Sequence, residues 1–144
     1  MRDIFALNSI DLKYLEDKFQ RYHQFSREIA IRKEELKIRE HDTNVGGGRS
    51  NRVSSQVENQ VIREMSDPFI IQRDTWKKAI EETINEQSGD VQEIIKEKYW
   101  GKNSYMDWET LGQALDEDKK QSRSTMYRIR YKVLECFAKK IGYI

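Results

Sequence analysis

The sequence that decides the fold lies near the C-terminus and reads Ser122-Arg123-Ser124-Thr125-Met126-Tyr127-Arg128-Ile129-Arg130-Tyr131-Lys132. The apolar residues of this region recur at intervals of three or four, which is the spacing of one face of an α-helix. They are Met126, Ile129, Val133 and Phe137. Ser122 can accept a hydrogen bond from a free amide at the start of such a helix. The pattern therefore predicts an amphipathic helix from Ser122 to Ile141.

Positive charge is concentrated in the same region. Residues 119–140 contain eight lysines or arginines and one acid, Glu135, a net charge of +7. The whole chain of 144 residues carries 26 bases and 25 acids, a net charge of +1, so the other residues are acidic overall at −6. A focused basic surface of this kind indicates a polyanionic partner, although the average charge is nearly neutral.

Two shorter helical patterns precede the basic helix, at residues 90–99 and 107–115. Together the three helices could enclose a small core, as in a helix-turn-helix domain, whose second helix presents its N-terminal side chains to the DNA major groove. The link at residues 116–121 is longer than the three or four residues that such a turn usually has. We expect residues 107–115 and 122–141 to form the helix-turn-helix pair.

The polar side of the basic helix supplies the candidate DNA contacts. An arginine can bond guanine at two positions, and hydroxyl groups adapt to several base edges, so the candidates for reading bases are Arg123, Ser124, Thr125 and Arg128. Phosphate contacts fix orientation without reading sequence. The candidates for these are Lys119, Lys120, Arg130, Lys132 and Tyr127.

The remainder of the chain is also predicted to be helical, which makes the fold class all-α. Alternating β patterns are scarce and there is one proline. Helices are expected at about 8–22, 26–40 and 55–65, and from Pro68 onward. In the helix at 55–65 the residues expected to face the core are Val57, Val61, Ile62 and Met65. We divide the chain into an N-terminal helical pair with a glycine-rich linker (1–52), central helices (53–88) and a helix-turn-helix DNA-binding domain (90–144).

Five segments form a wider pattern: Asp42-Thr43-Asn44-Val45-Gly46-Gly47-Gly48-Arg49-Ser50-Asn51, Val57-Glu58-Asn59, Val61-Ile62, Trp76-Lys77-Lys78-Ala79-Ile80 and Ser124-Thr125-Met126-Tyr127-Arg128. This pattern resembles the RinA/ArpU family of phage transcriptional regulators. The resemblance implies a small protein of phages and prophages of Gram-positive bacteria that activates late operons for packaging, morphogenesis or lysis. It also implies a C-terminal helix-turn-helix similar to region four of bacterial sigma factors, in which Gly112 stands where alanine is common.

The glycine-rich segment has two interpretations. Gly46–Gly48 is not followed by the Gly-Lys-Ser/Thr of a phosphate-binding loop, so nucleotide binding is not expected. We favour a flexible hinge. The alternative is an arm in which Arg49 and Arg52 contact phosphates or a neighbouring subunit.

The sequence shows no pattern typical of an enzyme or a metal site. The two histidines, His23 and His41, lie on different predicted elements without ligands at metal spacing, and Cys136 is the one cysteine. We therefore predict no catalytic residues, no metal and no cofactor, and no internal disulfide can form.

The sequence thus predicts a sequence-specific transcriptional regulator that binds double-stranded promoter DNA, most simply an activator of phage late genes. Apolar faces on the N-terminal helices favour a homo-oligomer, a dimer or tetramer, and host RNA polymerase is a further candidate partner. Two alternatives remain open, a small phage DNA-packaging recognition subunit and an RNA polymerase adaptor that does not read DNA. Without a stretch of about 20 apolar residues or a signal peptide, we expect a cytoplasmic location in the bacterial host, with no membrane or small-molecule substrate involved.

Overall fold

The structure, a computed structural model, describes residues 5–43 and 52–144. Within these ranges the chain forms seven α-helices and no β-strand, so the prediction of an all-α fold is confirmed. The helices are α1 (Ser9–Gln20), α2 (Tyr22–Thr43), α3 (Arg52–Ser66), α4 (Pro68–Asn85), α5 (Gly89–Trp100), α6 (Trp108–Ala114) and α7 (Arg123–Lys140). In the part of the chain that is described, no helix is long and apolar enough to cross a membrane.

The chain forms two compact units. The terminal unit combines Met1–Tyr22 with Lys78–Ile144, and the middle unit is His23–Lys77. The sequence-based division had three consecutive segments, 1–52, 53–88 and 90–144. The structural grouping differs from it because the two ends of the chain pack together in the terminal unit.

Short polar residues define the helix boundaries of the terminal unit. At α1, Asn8 Oδ1 accepts from the Asp11 amide (2.9 Å) and Asp11 Oδ2 accepts from the Asn8 amide (2.8 Å), which is a complete capping box. The predicted cap at Ser122 is confirmed, since its hydroxyl oxygen accepts from the Thr125 amide at 3.2 Å. Gly101 is the C-terminal cap of α5, and its amide donates to the Glu97 carbonyl oxygen at 3.1 Å.

The core of the terminal unit is built from α1, the last three helices and the end of α4, where Ala79, Ile80 and Ile84 are buried. Phe19 of α1 is fully buried, with its ring centroid 5.0 Å from that of Tyr99 and 5.1 Å from that of Phe137. The other buried apolar residues on these helices are Leu15, Ile94, Ile95, Trp108, Leu111, Met126, Val133, Leu134 and Ala138. Each fully buried large side chain contributes about 1.5–3 kcal/mol, so α1 is an integral part of this core.

A single carboxylate of α1, that of Glu16, bonds to α5, α6 and α7. Glu16 Oε2 accepts from the Tyr99 hydroxyl (2.9 Å) and from Trp108 Nε1 (3.1 Å), and Glu16 Oε1 accepts from Arg130 Nε (3.0 Å). Burial, and secondly the Glu16 charge, raise the pKa of Tyr99 well above its ordinary value, so the phenol stays a donor. The Glu16 cluster therefore fixes α5, α6 and α7 against α1.

The middle unit has a smaller apolar interior and relies on ion pairs between α2 and α4. Phe25 and Trp76 are buried with ring centroids 5.7 Å apart. Asp67 precedes α4, accepts from the Ile70 amide (3.2 Å), and binds both Nε (3.1 Å) and Nη2 (2.8 Å) of Arg32. Helix α4 begins at Pro68, so the predicted start of this helix is confirmed.

The prediction for the apolar side of α3 is wrong. Val57, Val61, Ile62 and Met65 are exposed, whereas the half-buried residues of this helix include Gln56, Gln60 and Glu64. Gln60 Nε2 donates to the Lys33 carbonyl oxygen (3.5 Å) and to Glu64 (3.0 Å), so the polar side of α3 faces α2. Helical periodicity identifies residues that share a face but not what that face contacts.

Candidate nucleic-acid interface

Helices α6 and α7 approach each other closely at Gly112. A Cβ atom at this position would lie 2.7 Å from the Gln121 carbonyl oxygen and 2.7 Å from Met126 Cγ. The Gln121 amide also donates to the Gly112 carbonyl oxygen at 3.2 Å. The close contact therefore favours glycine over any residue with a Cβ atom at this position.

The long link between α6 and α7 folds back on α6. The Lys119 amide donates to the Asp116 carbonyl oxygen (2.7 Å), and Gln113 Nε2 donates to the Gln121 carbonyl oxygen (3.2 Å). These bonds, together with the cap at Ser122, determine where α7 begins. The additional residues of the link thus do not separate the two helices.

One side of α7 is packed inward and the other is exposed. Met126, Val133, Leu134, Phe137 and Ala138 form the buried side. The exposed side brings together five of the predicted DNA contacts, Arg123, Ser124, Tyr127, Arg128 and Lys132. The N-terminal half of the helix therefore presents two hydrophilic turns that can enter a groove.

Arg128 and Lys132 are two exposed cations on this surface. They are four residues apart and therefore lie on the same side of the helix. Among the residues that the structure describes, neither side chain has an ion pair or hydrogen bond, and both are exposed. Their charges are available to an external anion without breaking an internal contact.

Arg123 and Thr125 are partly engaged. Arg123 lies 3.8 Å from Glu109 Oε2, measured from Nε, and its guanidinium carbon is 5.7 Å from the centre of the Tyr127 ring. Both ionic groups are exposed, so this pair is weak and exchangeable. The Thr125 hydroxyl lies 3.0 Å from the Ser122 hydroxyl and is half-buried, so it belongs to the helix cap.

Lys119 and Lys120 precede α7 and are paired with acids. Lys119 Nζ is 3.0 Å from Glu93 Oε2, and this hydrogen bond raises the pKa of Lys119. Lys120 Nζ is 2.6 Å from Glu117 Oε2. Exposed pairs contribute about 1 kcal/mol or less, so both lysines remain able to exchange their partner for a phosphate.

Arg130 is placed apart from the other predicted phosphate contacts. Its guanidinium bonds Glu16, and the two side chains are 18% and 13% exposed respectively. Moving Arg130 to a phosphate would leave the Glu16 carboxylate without its cation in a largely buried position. We therefore assign Arg130 to the fold rather than to the interface.

The predicted arm lies outside the described residues. Arg49 and the Gly46–Gly48 run fall between residues 43 and 52, and the side chain of Arg52, at the start of α3, is also outside them. Their proposed contacts stay predictions.

Lys98 is a further cation near the start of α6, and the sequence analysis did not include it among the candidate contacts. Asp107 caps α6, and its bonds to Thr110, with smaller effects from Lys98 and Arg123, lower its pKa. Lys98 Nζ lies 3.4 Å from the Ser104 carbonyl oxygen and 5.8 Å from the centre of the Trp108 ring. A signal was present, since Lys96, Lys98 and Lys102 fall within one short segment.

The described residues contain no group of three or more histidine, cysteine, aspartate or glutamate side chains that could hold a metal ion. The exposed arginine, lysine and hydroxyl side chains on the outer side of α7 offer charge attraction and hydrogen bonding. Both suit a polyanion.

Comparison with known proteins gives one assignment. No curated protein and no solved structure matches the chain. A family model matches residues 10–137, from α1 to the end of the α7 core. The chain therefore belongs to the family described as "Protein of unknown function (DUF722)".

Proposed function

We propose that this protein is a sequence-specific transcriptional regulator that binds double-stranded promoter DNA through α7. The observation that carries the proposal is the pair Arg128 and Lys132, both exposed and unpaired among the described residues. They lie on a helix whose other side is packed against α6 at Gly112. A rigid helix with accessible cations near its N-terminal half suits the major groove.

The finer assignment is an activator of phage late genes. The DUF722 family description names no activity. The assignment to phage late genes therefore rests on the resemblance to the RinA/ArpU regulators. In that comparison α6 and α7 correspond to a sigma region four-like helix-turn-helix. The resemblance makes promoter DNA the expected duplex and host RNA polymerase a second candidate partner.

The arrangement suggests distinct roles for the exposed side chains. Arg128 and Ser124 share one side of α7 and are positioned for base edges, whereas Lys132, one turn further along the helix, suits a phosphate. Arg123 would exchange Glu109 for DNA. Lys119 and Lys120 would likewise exchange Glu93 and Glu117 for phosphates, which costs little because the pairs are exposed.

The test is fluorescence anisotropy of the full chain on promoter-sized duplexes from its source genome, with scrambled duplex as reference, over a series of salt concentrations. Release of counterions predicts that log affinity falls with log salt by about 0.9 per phosphate contact, a slope near −5 for roughly six contacts. One fragment bound much more tightly than scrambled DNA supports the proposal. Equal affinity for all duplexes, or no binding, contradicts it.

Replacing Arg128 with alanine should weaken binding to the preferred fragment by roughly 1–3 kcal/mol and reduce its preference over scrambled DNA. Lys132→Ala should instead weaken binding to all duplexes and make the salt slope shallower by about 1. Lys139→Ala, at the far end of the same helix, removes one exposed charge and is the matched control. If Arg128→Ala and Lys139→Ala have equal effects, Arg128 does not read bases.

A second candidate function is supported by the acids of the link. Asp116, Glu117 and Asp118 are exposed close to the start of α7, where they would repel phosphates. They suit an adaptor that binds a basic surface of RNA polymerase without reading DNA. That function predicts little DNA binding at moderate salt and loss of polymerase binding when the three acids are replaced by their amides.

A further inference from the structure

We infer that the carboxylates of Glu93, Glu109 and Glu117 compete with DNA phosphates for the cations at the start of α7, and thereby lower the affinity of this protein for any duplex. The inference rests on the proposed function, because it concerns the same surface. It names the residues that limit how tightly that surface binds.

Most of the bases that make residues 119–140 positive have a carboxylate partner in the folded chain. Of the eight lysines and arginines in this region, only Arg128 and Lys132 have no ion pair with a described residue. The other six each have a carboxylate oxygen within 3.8 Å, and they are Lys119, Lys120, Arg123, Arg130, Lys139 and Lys140. The charge of +7 read from the sequence therefore overstates the charge that is free to bind a phosphate.

Three of these pairs lie at the start of α7, and their acids come from three different parts of the terminal unit. Glu93 belongs to α5, Glu109 to α6 and Glu117 to the link at residues 116–121. The distances are 3.0 Å for Glu93 with Lys119, 3.8 Å for Glu109 with Arg123 and 2.6 Å for Glu117 with Lys120. The fold thus supplies each of these cations with its own carboxylate.

A DNA phosphate must displace these carboxylates in order to bind the same cations. A carboxylate and a phosphate both present anionic oxygens to a lysine or arginine, so they are alternative partners. The three glutamate side chains are more than half exposed, so each pair can open at a modest cost. Displacing one exposed partner lowers the affinity by up to about 5-fold. Three independent displacements would lower it by up to roughly 100-fold.

The test is fluorescence anisotropy of the full chain on scrambled duplex at one salt concentration. It compares wild type with the triple variant Glu93→Gln, Glu109→Gln, Glu117→Gln, in which glutamine retains the length of each side chain and removes its charge. We expect the triple variant to bind roughly 10- to 100-fold more tightly, with an unchanged helical circular dichroism spectrum. Equal affinity of the triple variant and wild type overturns the inference.

The control separates competition from general repulsion, because removing any acid near the DNA reduces its repulsion of phosphates. Asp116 and Asp118 lie in the same link and are exposed, and neither has an ion pair with a described residue. The variant Asp116→Asn, Asp118→Asn removes two negative charges, as does Glu93→Gln, Glu117→Gln. We expect the larger gain in affinity from the paired glutamates. Equal gains from the two double variants would overturn the inference.

A double-mutant cycle tests whether Glu93 acts through Lys119. Glu93→Gln should raise the affinity by up to about 5-fold in the wild-type background. In a Lys119→Ala background the same change should have little effect, because the cation for which the carboxylate competes is absent. The same gain in both backgrounds would show that Glu93 repels phosphates directly, and would overturn the competition at this pair.

Failure of this inference can be distinguished from failure of the proposed function. Competition is measured on scrambled duplex alone, whereas sequence reading is measured by the ratio of affinities for the preferred fragment and scrambled duplex. A gain in the triple variant without any sequence preference supports competition and contradicts sequence reading. A sequence preference without a gain in the triple variant does the reverse. If neither wild type nor any variant binds DNA, both are overturned.

Discussion

In the terminal unit the apolar side of α7 is buried, with Met126 at 0% exposure, whereas in the middle unit the apolar side of α3 is exposed, with Met65 at 74%. Both helices are amphipathic and of similar length. The difference lies in what surrounds them. Helix α7 is covered by α1 and α6, whereas the polar side of α3 faces α2.

This difference indicates the kind of partner that each unit would bind. The terminal unit covers its apolar side chains and leaves Arg128 and Lys132 exposed, which suits a polyanion. The middle unit leaves an apolar surface exposed, which suits another protein surface.

The terminal unit also contains a largely buried ion pair, Glu16 with Arg130. Breaking this pair is the change for which we predict the largest effect. Glu16→Ala leaves Arg130 largely buried without its carboxylate, so the terminal unit should lose about 3–5 kcal/mol of unfolding free energy. The measurement is urea unfolding followed by the fluorescence of Trp100 and Trp108 in a Trp76→Phe background.

The control for this prediction replaces the whole pair. Because an apolar pair of similar volume needs no charge compensation, Glu16→Leu with Arg130→Met should be more stable than Glu16→Leu alone. If Glu16→Ala costs less than about 1 kcal/mol, the Glu16 cluster is not what holds α1 to α7.

Local sequence was sufficient to predict the class of fold and several helix boundaries. The boundaries predicted at Ser122 and Pro68 depend on the backbone amides nearest to them, so they can be deduced from neighbouring residues alone. The Glu16 cluster could not be deduced in this way, because Glu16 and Arg130 are 114 residues apart in the sequence.

For the candidate interface, the exposed side of α7 could be predicted from the sequence, but the ion pairs of its cations could not. Periodicity indicated the outer side of α7, where Arg128 and Lys132 are exposed. It could not show that Arg130 is held by a distant carboxylate, nor that Lys119 is held by Glu93. Periodicity also could not predict the orientation of α3, because the apolar residues of a helix have the same spacing whether they pack against their own chain or against another.

The next largest effect is expected in the middle unit. Asp67→Asn keeps a side chain that can cap α4 but removes the charge that binds Arg32, so the unit should lose roughly 2 kcal/mol of unfolding free energy. The measurement is urea unfolding of the middle unit, followed by the fluorescence of Trp76 in a Trp100→Phe, Trp108→Phe background. The matched control is Glu35→Gln, since Glu35 binds the same Arg32 but is 53% exposed against 7% for Asp67. A larger loss of unfolding free energy for Glu35→Gln than for Asp67→Asn would contradict the assignment of Asp67 as the stabilising partner of Arg32.

The effect of Asp67 should depend on pH. Hydrogen bonds from Arg32, chiefly, hold the pKa of Asp67 below its ordinary value. A carboxyl whose pKa is lower in the folded state stabilises that state above its unfolded pKa, and this contribution is lost as pH falls through the folded pKa. The difference in unfolding free energy between wild type and Asp67→Asn should therefore be constant near neutral pH and shrink below about pH 4. A difference that grows on acidification would contradict the ion pair.

The smallest effect concerns the close contact of α6 and α7. Gly112→Ala places a Cβ atom within 2.7 Å of the Gln121 carbonyl oxygen and Met126 Cγ, so the helices must separate slightly. Overpacking costs about 1–3 kcal/mol, and the better helix preference of alanine offsets up to about 1 kcal/mol, which leaves a net loss near 1 kcal/mol. Gly89→Ala is the matched control, because nothing lies within 4 Å of its added Cβ atom, and it should be neutral or stabilising in the same urea experiment. If both variants are equally stable, the pair α6 and α7 has enough freedom to accept a methyl group, and the terminal unit is less rigid at its proposed DNA-binding side than its buried core implies.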